Sequence, residues 1–599
     1  MRGGASVHQD GAVRAFGEDQ RQKWVKVGCR CVCIVFALLE VWSGRHYVDF
    51  DTISYLDMSD AFLRHNWHLL INPYWSPLYP FLIGVGTWLV RPSGYWEFPL
   101  IHAVNFAIFL GALAAFEFLL RQVILTLGRG NEREDADSAL PLPTWMWQLL
   151  GYSLFIWSTF EMINGIHKAL PDLCVAAFVY LDAGLLLRLR AGARNPRTFL
   201  LLGVTLGLGY LAKAIMFPMA FVFMVVAFFA AGGRRRTLLP LALTLLVFSA
   251  IAAPLFLGIS HTVGRPSFGE SGKLAYAWCV NGEKLSIPFY SSSPPSYLIH
   301  PINRIHKNPN VFEFAQPVNS TYPLWFDPAY WNAGVKVRMN LREQLRVIGE
   351  SLIHCYEYLV QPAWGLIGGF LILFFMSPNP PRRLQNIVRS WPLLVPGAAA
   401  PCLYALVHLE KRYIAPFVVL VWLGLLAGIR LKRSQDSTKL GAIATLVIAT
   451  SLTVLAAQYV FYYLAQPLPE LKGHGGTFYQ AADSLHKDGV SPGDEVAVIG
   501  SGWDPWYATF WARRARVRIV AEIPDDDADE FWRSDSFTQK QVLDAMGRVG
   551  IKAIVTCGKP GSSGAVEWHK LGPTDYYASM LPSVNKDAQD EAPRAANSN

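Results

Sequence analysis

The stretch GCRCVCIVFALLEVWSGRHYVDFD, residues 28–51, decides the fold because a long apolar run ends in a group of acids. The apolar run, 27–44, overlaps this stretch and is about long enough to cross a hydrocarbon core of roughly 30 Å. Runs of this kind recur along the 599 residues, of which 52% are hydrophobic and 16% are charged. Soluble proteins are usually about 25% charged, so the composition indicates a polytopic α-helical membrane protein.

Eleven apolar runs are candidate spans: about 27–44, 97–120, 144–164, 170–187, 198–213, 215–231, 237–258, 351–376, 390–408, 413–429 and 440–464. A further run, 76–90, is short and interrupted by prolines. If 76–90 stays in the interface, every basic cluster between spans falls on one side, as the positive-inside rule requires. We therefore expect about eleven spans, a cytoplasmic amino terminus and a carboxyl-terminal region outside. The net charge of +8 lies in these short loops, which does not suggest nucleic-acid binding.

This topology predicts the domain organisation. A cytoplasmic tail, 1–26, precedes a transmembrane domain, 27–464, with outer loops at 45–75 and 259–350. Residues 465–582 alternate short apolar runs (494–501, 517–523 and 551–558) with helical stretches (476–488, 506–515 and 536–549). Such alternation predicts a three-layer α/β domain outside the membrane. The tail 583–599 is polar and is expected to be disordered.

Four acids follow the first span. Asp57 and Asp60 lie on an amphipathic segment that also contains Tyr55, and we expect them to form its solvated face. Asp51 precedes that helix, where a carboxylate either caps the first turn or acts in a cavity, and both interpretations stay open. Asp49 is ambiguous as well.

Three later outer turns carry more charges. The turn EMINGIHKALPD, 161–172, contains Lys168 and Asp172 besides Glu161 and His167, which we interpret as ordinary loop residues. Lys213 is a lone cation in a long apolar run, and such a residue usually faces a cavity or a partner. The run EKRY, 410–413, is either a charged helix cap or part of a site. Acids and cations at one membrane face suit a site that acts on a lipid-linked phosphate, because cations bind the phosphate and a carboxylate accepts a proton.

The order of these motifs resembles the C-type membrane glycosyltransferases. It comprises Asp51, Tyr55, Ala61 and Trp67, the segment NPYWSPLYPFLIG, the turn Leu170–Asp172, the pair Gly209 and Lys213, and Arg412–Tyr413. The pattern covers about residues 27–260 and is most similar to the aminoarabinose transferase, protein O-mannosyltransferase and rhizobial lipopolysaccharide glycosyltransferase branch. The resemblance implies a C-type glycosyltransferase fold in a bacterial inner membrane.

The resemblance also implies an activity and its residues. A sugar, hexosyl or pentosyl, passes from a polyprenyl-phosphate donor to an envelope lipid, glycan or protein acceptor at the outer face, with inversion. Asp51 corresponds to the essential acid, and Asp172 and Lys213 correspond to the acid and lysine of the later outer turns. Tyr55 is a further candidate for donor or acceptor binding.

The sequence departs from the family at two places. Thr52 follows Asp51 where many relatives have a second acid, and Asn72–Pro73 stands where a lysine is common. Lys168 or Arg412 is a candidate substitute for that lysine. Use of a divalent cation, Mg²⁺ or Mn²⁺, held by Asp51 and Asp49, stays open.

Two other functions compete with glycosyl transfer. A transporter or flippase for a lipid-linked saccharide also needs outer charges and aromatic residues, although its site usually lies near mid-membrane. A non-catalytic assembly protein would use the α/β domain to bind a partner, but it does not explain Lys213 or Asp51.

Overall fold

The computed structural model describes residues 4–49, 51–127, 139–282, 302–314, 316–327, 335–378, 380–465, 477–500, 508–558, 560 and 566–582. The expected disordered tail, 583–599, lies outside these residues. The helices are α1 Gly4–Gly44, α2 Asp51–Leu63, α3 Leu78–Val90, α4 Glu97–Leu127, α5 Thr144–Ile156, α6 Gly165–Lys168, α7 Asp172–Arg190, α8 Pro196–Ala212, α9 Met216–Ala230, α10 Leu238–Val263, α11 Ser271–Cys279, α12 Pro323–Phe326, α13 Leu341–Cys355, α14 Trp364–Met376, α15 Pro380–Arg389, α16 Trp391–Ala405, α17 Lys411–Leu426, α18 Gln435–Ala465, α19 Thr477–Lys487, α20 Ala508–Ala515, α21 Asp525–Arg533 and α22 Ser536–Arg548. The strands are β1 Ala139–Pro141, β2 Ile302–Lys307, β3 Asn310–Phe314, β4 Arg430–Lys432, β5 Glu495–Ile499, β6 Arg518–Ile523, β7 Ala553–Cys557, β8 His569–Lys570 and β9 Tyr576–Met580.

The chain forms two compact units. The helical unit consists of Met1–Tyr47, Phe62–Lys284 and Lys336–Gln466. The α/β unit consists of Val48–Ala61, Leu285–Val335 and Pro467–Asn599. Most of α2, including Asp51, therefore belongs to the α/β unit.

The helical unit contains several apolar helices of membrane-spanning character. Among the described residues, Gly94–Thr126, Arg235–Val263 and Gln435–Ala465 are long and apolar enough to cross a membrane. A fourth span is formed if Leu341–Val360 and Trp364–Met376, bent by 76° at their junction, act together. Shorter apolar helices include α3, α8 and α9. The structure thus agrees with a multi-span membrane protein, while the total of eleven spans and their orientation stay predictions.

Helices α8 and α10 show how the spans pack. A Cβ on Gly203 would lie 2.7 Å from the carbonyl oxygen of Thr244, so only glycine permits this approach of the two backbones. The Thr244 hydroxyl donates to the carbonyl oxygen of Phe199 at 2.9 Å. Small residues and hydroxyl bonds of this kind hold helices together where lipid offers no hydrophobic driving force.

The α/β unit has a seven-stranded mixed sheet in the order β2-β3-β6-β5-β7-β9-β8. Strand β5 pairs in parallel with β6 and β7, and the outer pairs are antiparallel. The three runs predicted as strands form β5, β6 and β7, and the three predicted helical stretches form α19, α20 and α22. Strands β2 and β3 come from the long loop 259–350 and were not predicted.

The prediction for Asp57 and Asp60 is wrong. Asp57 is 6% exposed and accepts hydrogen bonds from the backbone N–H and hydroxyl of Thr321, both at 2.8 Å. Arg513 donates to Asp57 at 3.0 Å and to Asp60 at 2.8 Å. Burial raises the pKa of Asp57 to about 6, although Arg513 acts in the opposite direction. Local helical period could not reveal a partner 456 residues away.

Candidate functional site

The turn that carries Asp172 has an unusual backbone. A π-helical turn, Trp157–Ile163, ends in Asn164, which has a φ of 49°. Helix α6 follows, and Ala169 again takes a left-handed conformation with a φ of 59°. Left-handed backbone at a residue with a Cβ costs about 1–2 kcal/mol, and π-turns occur often at functional sites. The strained backbone indicates that this turn does more than connect two helices.

Asp172 is the centre of a charge cluster in the helical unit. It is the first residue of α7 and is only 3% exposed to solvent. Lys213 Nζ donates to Asp172 Oδ1 at 2.6 Å, and Arg412 Nη1 lies 3.9 Å from Oδ2. A single buried carboxylate therefore faces two cations from other elements.

Lys213 reaches Asp172 from the turn between α8 and α9. Helix α8 ends because Lys213 takes an extended conformation, with φ −160° and ψ 135°. Its Nζ lies 3.8 Å from the centre of the Tyr413 ring, a distance at which ring and ammonium attract each other. The Lys213 side chain keeps 24% exposure, so it is accessible while held by Asp172.

Arg412 is fixed in the first turn of α17. Its Nε donates to Glu410 Oε2 at 2.6 Å, and its Nη2 donates to the Tyr413 hydroxyl at 3.1 Å. The Tyr413 ring stacks on Tyr404 with 5.0 Å between ring centres. Acid, hydroxyl and stacked rings together restrict the guanidinium to one region of the site.

His408 adds a third positive charge. It lies beyond the end of α16, and its Nε2 is 3.0 Å from Glu410 Oε1. Contact with the Cys279 side chain and with Glu410 raises the pKa of His408 to about 10. Burial acts to raise the pKa of Glu410, but hydrogen bonds from His408 and Arg412 hold it well below its usual value. The cluster thus contains three basic side chains, Lys213, Arg412 and His408, and two acidic ones, Asp172 and Glu410.

The expectation that Glu161 and His167 are ordinary loop residues is wrong, since both are buried. Lys411 Nζ donates to Glu161 Oε1 at 2.8 Å and to the Tyr459 hydroxyl at 3.0 Å. The His167 ring lies between Tyr47 and Tyr463, 5.1 and 4.0 Å from their ring centres. Glu161 and His167 therefore form a second buried polar group, and their contacts support the strained turn at 157–169.

Sequence reasoning missed Tyr404 and His408, whereas Lys411 lies in the run EKRY, which is predicted to be either a helix cap or part of a site. The run from 404 to 413, YALVHLEKRY, holds two aromatic and four charged or titratable side chains at a span boundary, and this density was the available signal. Lys168, which was predicted, is the last residue of α6 and is half-exposed.

The remaining predicted residues belong to the α/β unit. Asp51 is the first residue of α2, and its Oδ1 accepts a hydrogen bond from Trp325 Nε1 at 3.2 Å. Asp49 Oδ1 accepts from the backbone N–H of Asp51 at 3.2 Å, which places Asp49 as a cap of this helix. Tyr55 is buried.

The carboxylates at Asp49 and Asp51 do not fit a complete metal site. Within the described ranges, no group of three or more His, Cys, Asp or Glu side chains is placed to hold a metal ion. Asp49 is engaged in capping, and Asp51 takes a bond from an indole N–H.

No protein-family model matches the sequence, and no curated protein matches it. The structure is similar to the apo oligosaccharyltransferase of Archaeoglobus fulgidus, with a TM-score of 0.47, 13% identity, and coverage of 88% of this chain and 69% of that one. The same archaeal enzyme, AglB, in complex with an inhibitory peptide and a dolichol-phosphate gives a TM-score of 0.44, 12% identity and the same coverage. ArnT from Cupriavidus metallidurans bound to undecaprenyl phosphate gives a TM-score of 0.42 and 13% identity, over 94% of this chain and 98% of that one. In each case the TM-score is below 0.5 and the identity is 13% or less.

Proposed function

We propose that the protein is an inverting membrane glycosyltransferase, and that Lys213 and Arg412 bind the phosphate of a polyprenyl-phosphate sugar donor. The observation that carries the proposal is the cluster around Asp172. Two partly exposed basic side chains lie beside one buried acid, and with His408 and Glu410 the cluster contains three basic and two acidic side chains. Arginine and lysine side chains bind phosphate through charge-assisted hydrogen bonds, so such a pair suits a phosphate ligand.

The cluster has the chemistry to stabilise the leaving group. In the reaction, the bond between the anomeric carbon and the phosphate oxygen breaks, and the electron pair passes to that oxygen. Lys213 and Arg412 stabilise the charge that develops there, an effect worth about 2.7–4 kcal/mol per donor in other enzymes. Asp172 holds Lys213 and Glu410 holds Arg412 before the reaction, so little reorganisation is needed.

A general base completes the reaction. The acceptor attacks the anomeric carbon from the face opposite the phosphate, and its proton passes to a carboxylate. We assign this role to Asp51, because the sequence resemblance points to it and because its carboxylate is held by an indole N–H. One base and no carboxylate nucleophile are sufficient for inversion. Lys168 and Tyr55 are proposed to contact the donor or the acceptor.

The orientation that we propose follows from the positive-inside rule. We place the protein in a bacterial inner membrane, with the amino terminus in the cytoplasm and the α/β unit outside. Sugar transfer then takes place at the outer face, onto a lipid, glycan or protein acceptor.

The test uses purified full-length protein and a panel of polyprenyl-phosphate-linked mannose, glucose and arabinose donors, with release of polyprenyl phosphate as the readout. We expect the wild type to consume at least one donor and Asp51→Asn to lower kcat by about 100-fold or more. Equal activity of Asp51→Asn removes Asp51 from the mechanism. If no donor is consumed, but both proteins move the lipid-linked sugar across liposome membranes, the chain is a flippase instead.

A further inference from the structure

One short segment of the α/β unit, residues 316–327, lies between the central sheet and helix α2. On the sheet side, Ile519 N–H donates to the carbonyl oxygen of Thr321 at 3.0 Å. The Tyr322 hydroxyl donates to Glu522 Oε2 at 2.7 Å, and Arg518 donates to the carbonyl oxygen of Val318 at 3.1 Å. Because Tyr322 and Glu522 are both buried, this attachment to β6 is shielded from water. We call residues 316–327 the strap.

The strap holds α2 at three successive positions. Thr321 donates twice to Asp57, the Ser54 hydroxyl donates to the carbonyl oxygen of Trp325 at 3.4 Å, and Trp325 Nε1 donates to Asp51 at 3.2 Å. Positions 51, 54 and 57 are separated by three residues each, so they lie near one another on one side of the helix. The strap therefore runs along α2 up to its first residue.

Arg513 reinforces the same arrangement. It is 3% exposed, and it pairs with Asp57 and Asp60 from helix α20. A buried pair with satisfied hydrogen bonds fixes geometry, because any displacement leaves a charge unpaired in a poorly solvated place. Helix α2 is consequently fixed to the sheet both through the strap and through α20.

We propose that Trp325 is a positioning residue, whose indole N–H holds the carboxylate of Asp51 in the orientation needed to accept a proton. This inference rests on the proposed function, in which Asp51 is the base. A base must be held to within about 0.5 Å of its productive place, and a displacement of 1 Å can cost about 100-fold in rate. The anchored strap supplies a fixed donor for that purpose, and it makes the placement of Asp51 a property of the α/β unit.

The test compares Trp325→Phe, which removes the N–H and keeps a ring, with Trp325→His, which keeps a ring N–H. The matched control is Trp511→Phe, the same change at a fully buried tryptophan on α20 of the same unit. Using the donor panel, we expect Trp325→Phe to lower kcat by about tenfold with an unchanged KM, and Trp325→His to recover part of it. In the Asp51→Asn background, Trp325→Phe should cause no further loss, because two residues that act as one unit are not additive.

The outcomes separate this inference from the proposed function. If Asp51→Asn is inactive while Trp325→Phe matches the wild type, Trp325 does not position Asp51. If Trp325→Phe and Trp511→Phe lose the same activity, or if Trp325→Phe still lowers kcat in the Asp51→Asn background, the effect is on the stability of the α/β unit and the inference is wrong. If wild type and Asp51→Asn are equally active on every donor, or no donor is consumed, the proposed function fails first and this inference fails with it.

Discussion

Lys213 Nζ and Asp172 Oδ1 lie 2.6 Å apart, although 41 residues separate them along the chain. The lysine ends α8 and the aspartate begins α7, so each helix terminus contributes one charge. An acid in the first turn of a helix interacts favourably with the helix dipole, and here it also lies beside a basic side chain. The pair thus joins two apolar helices through a charged contact at their ends.

Removal of only one partner should destabilise the helical unit. Asp172→Leu leaves Lys213 and Arg412 without their shared counter-ion, and we expect a loss of about 1–3 kcal/mol in the free energy of unfolding. The double variant Asp172→Leu/Lys213→Met should lose less, since it buries fewer unpaired charges. Thermal unfolding of the purified protein measures both, and a double variant less stable than Asp172→Leu would contradict the pairing.

The stability contributed by His408 should depend on pH. Its pKa is raised in the folded state to about 10, against an ordinary value of 6.5. The contribution is therefore complete below about pH 6.5, falls as pH rises, and is lost above about pH 10. The difference in melting temperature between wild type and His408→Gln should shrink across this window. A constant difference from pH 6.5 to 10 argues against a charged His408 beside Glu410.

The buried contact between Asp57 and Arg513 should be costly to break from either side. We expect Asp57→Asn and Arg513→Met each to lower the stability of the α/β unit by about 3–5 kcal/mol, because each leaves a buried polar partner uncompensated. The double variant should recover part of the loss. Chemical denaturation followed by tryptophan fluorescence gives the comparison, with the exposed pair Arg533–Asp529 as a control expected to contribute under about 1 kcal/mol.

The positions of most helices and of the strands β5, β6 and β7 could be predicted from the sequence, because each depends on a short-range hydrophobic pattern. The charges of Asp172, Lys213 and Arg412 could also be found, since a charge at the end of an apolar run is conspicuous. Which charge meets which could not be predicted. Arg513 and Asp57 are 456 residues apart, and their contact depends on the folded sheet rather than on local period.

The strand pair β2–β3 shows the same limit. Its sequence, INRIHKNPNVFEF at 302–314, has weak alternation and two prolines nearby, at 301 and 309, so the local pattern does not indicate a strand. Strand β3 finds its backbone hydrogen-bond partner in β6, which belongs to a distant part of the chain.

The predicted orientation can be measured at Cys557, an exposed residue at the end of β7. In intact spheroplasts, a membrane-impermeant maleimide should label the wild type more strongly than Cys557→Ser, because the α/β unit is expected outside. Labelling of Cys557 only after the cells are lysed would place this unit in the cytoplasm and reverse the proposed topology.

The central claim is that the cluster of Lys213 and Arg412 binds a lipid-linked phosphate. Equilibrium binding of farnesyl phosphate to the purified full chain tests it most directly, with farnesol as the uncharged control ligand. We expect Lys213→Met and Arg412→Gln each to weaken binding by about tenfold, since a charge-assisted hydrogen bond contributes about 1.5–3 kcal/mol. Lys273→Met, which removes a lysine paired with Glu270 elsewhere in the helical unit, should leave the affinity unchanged. Unaltered affinity in the Lys213→Met/Arg412→Gln double variant, or equal affinity for farnesol, would contradict the account.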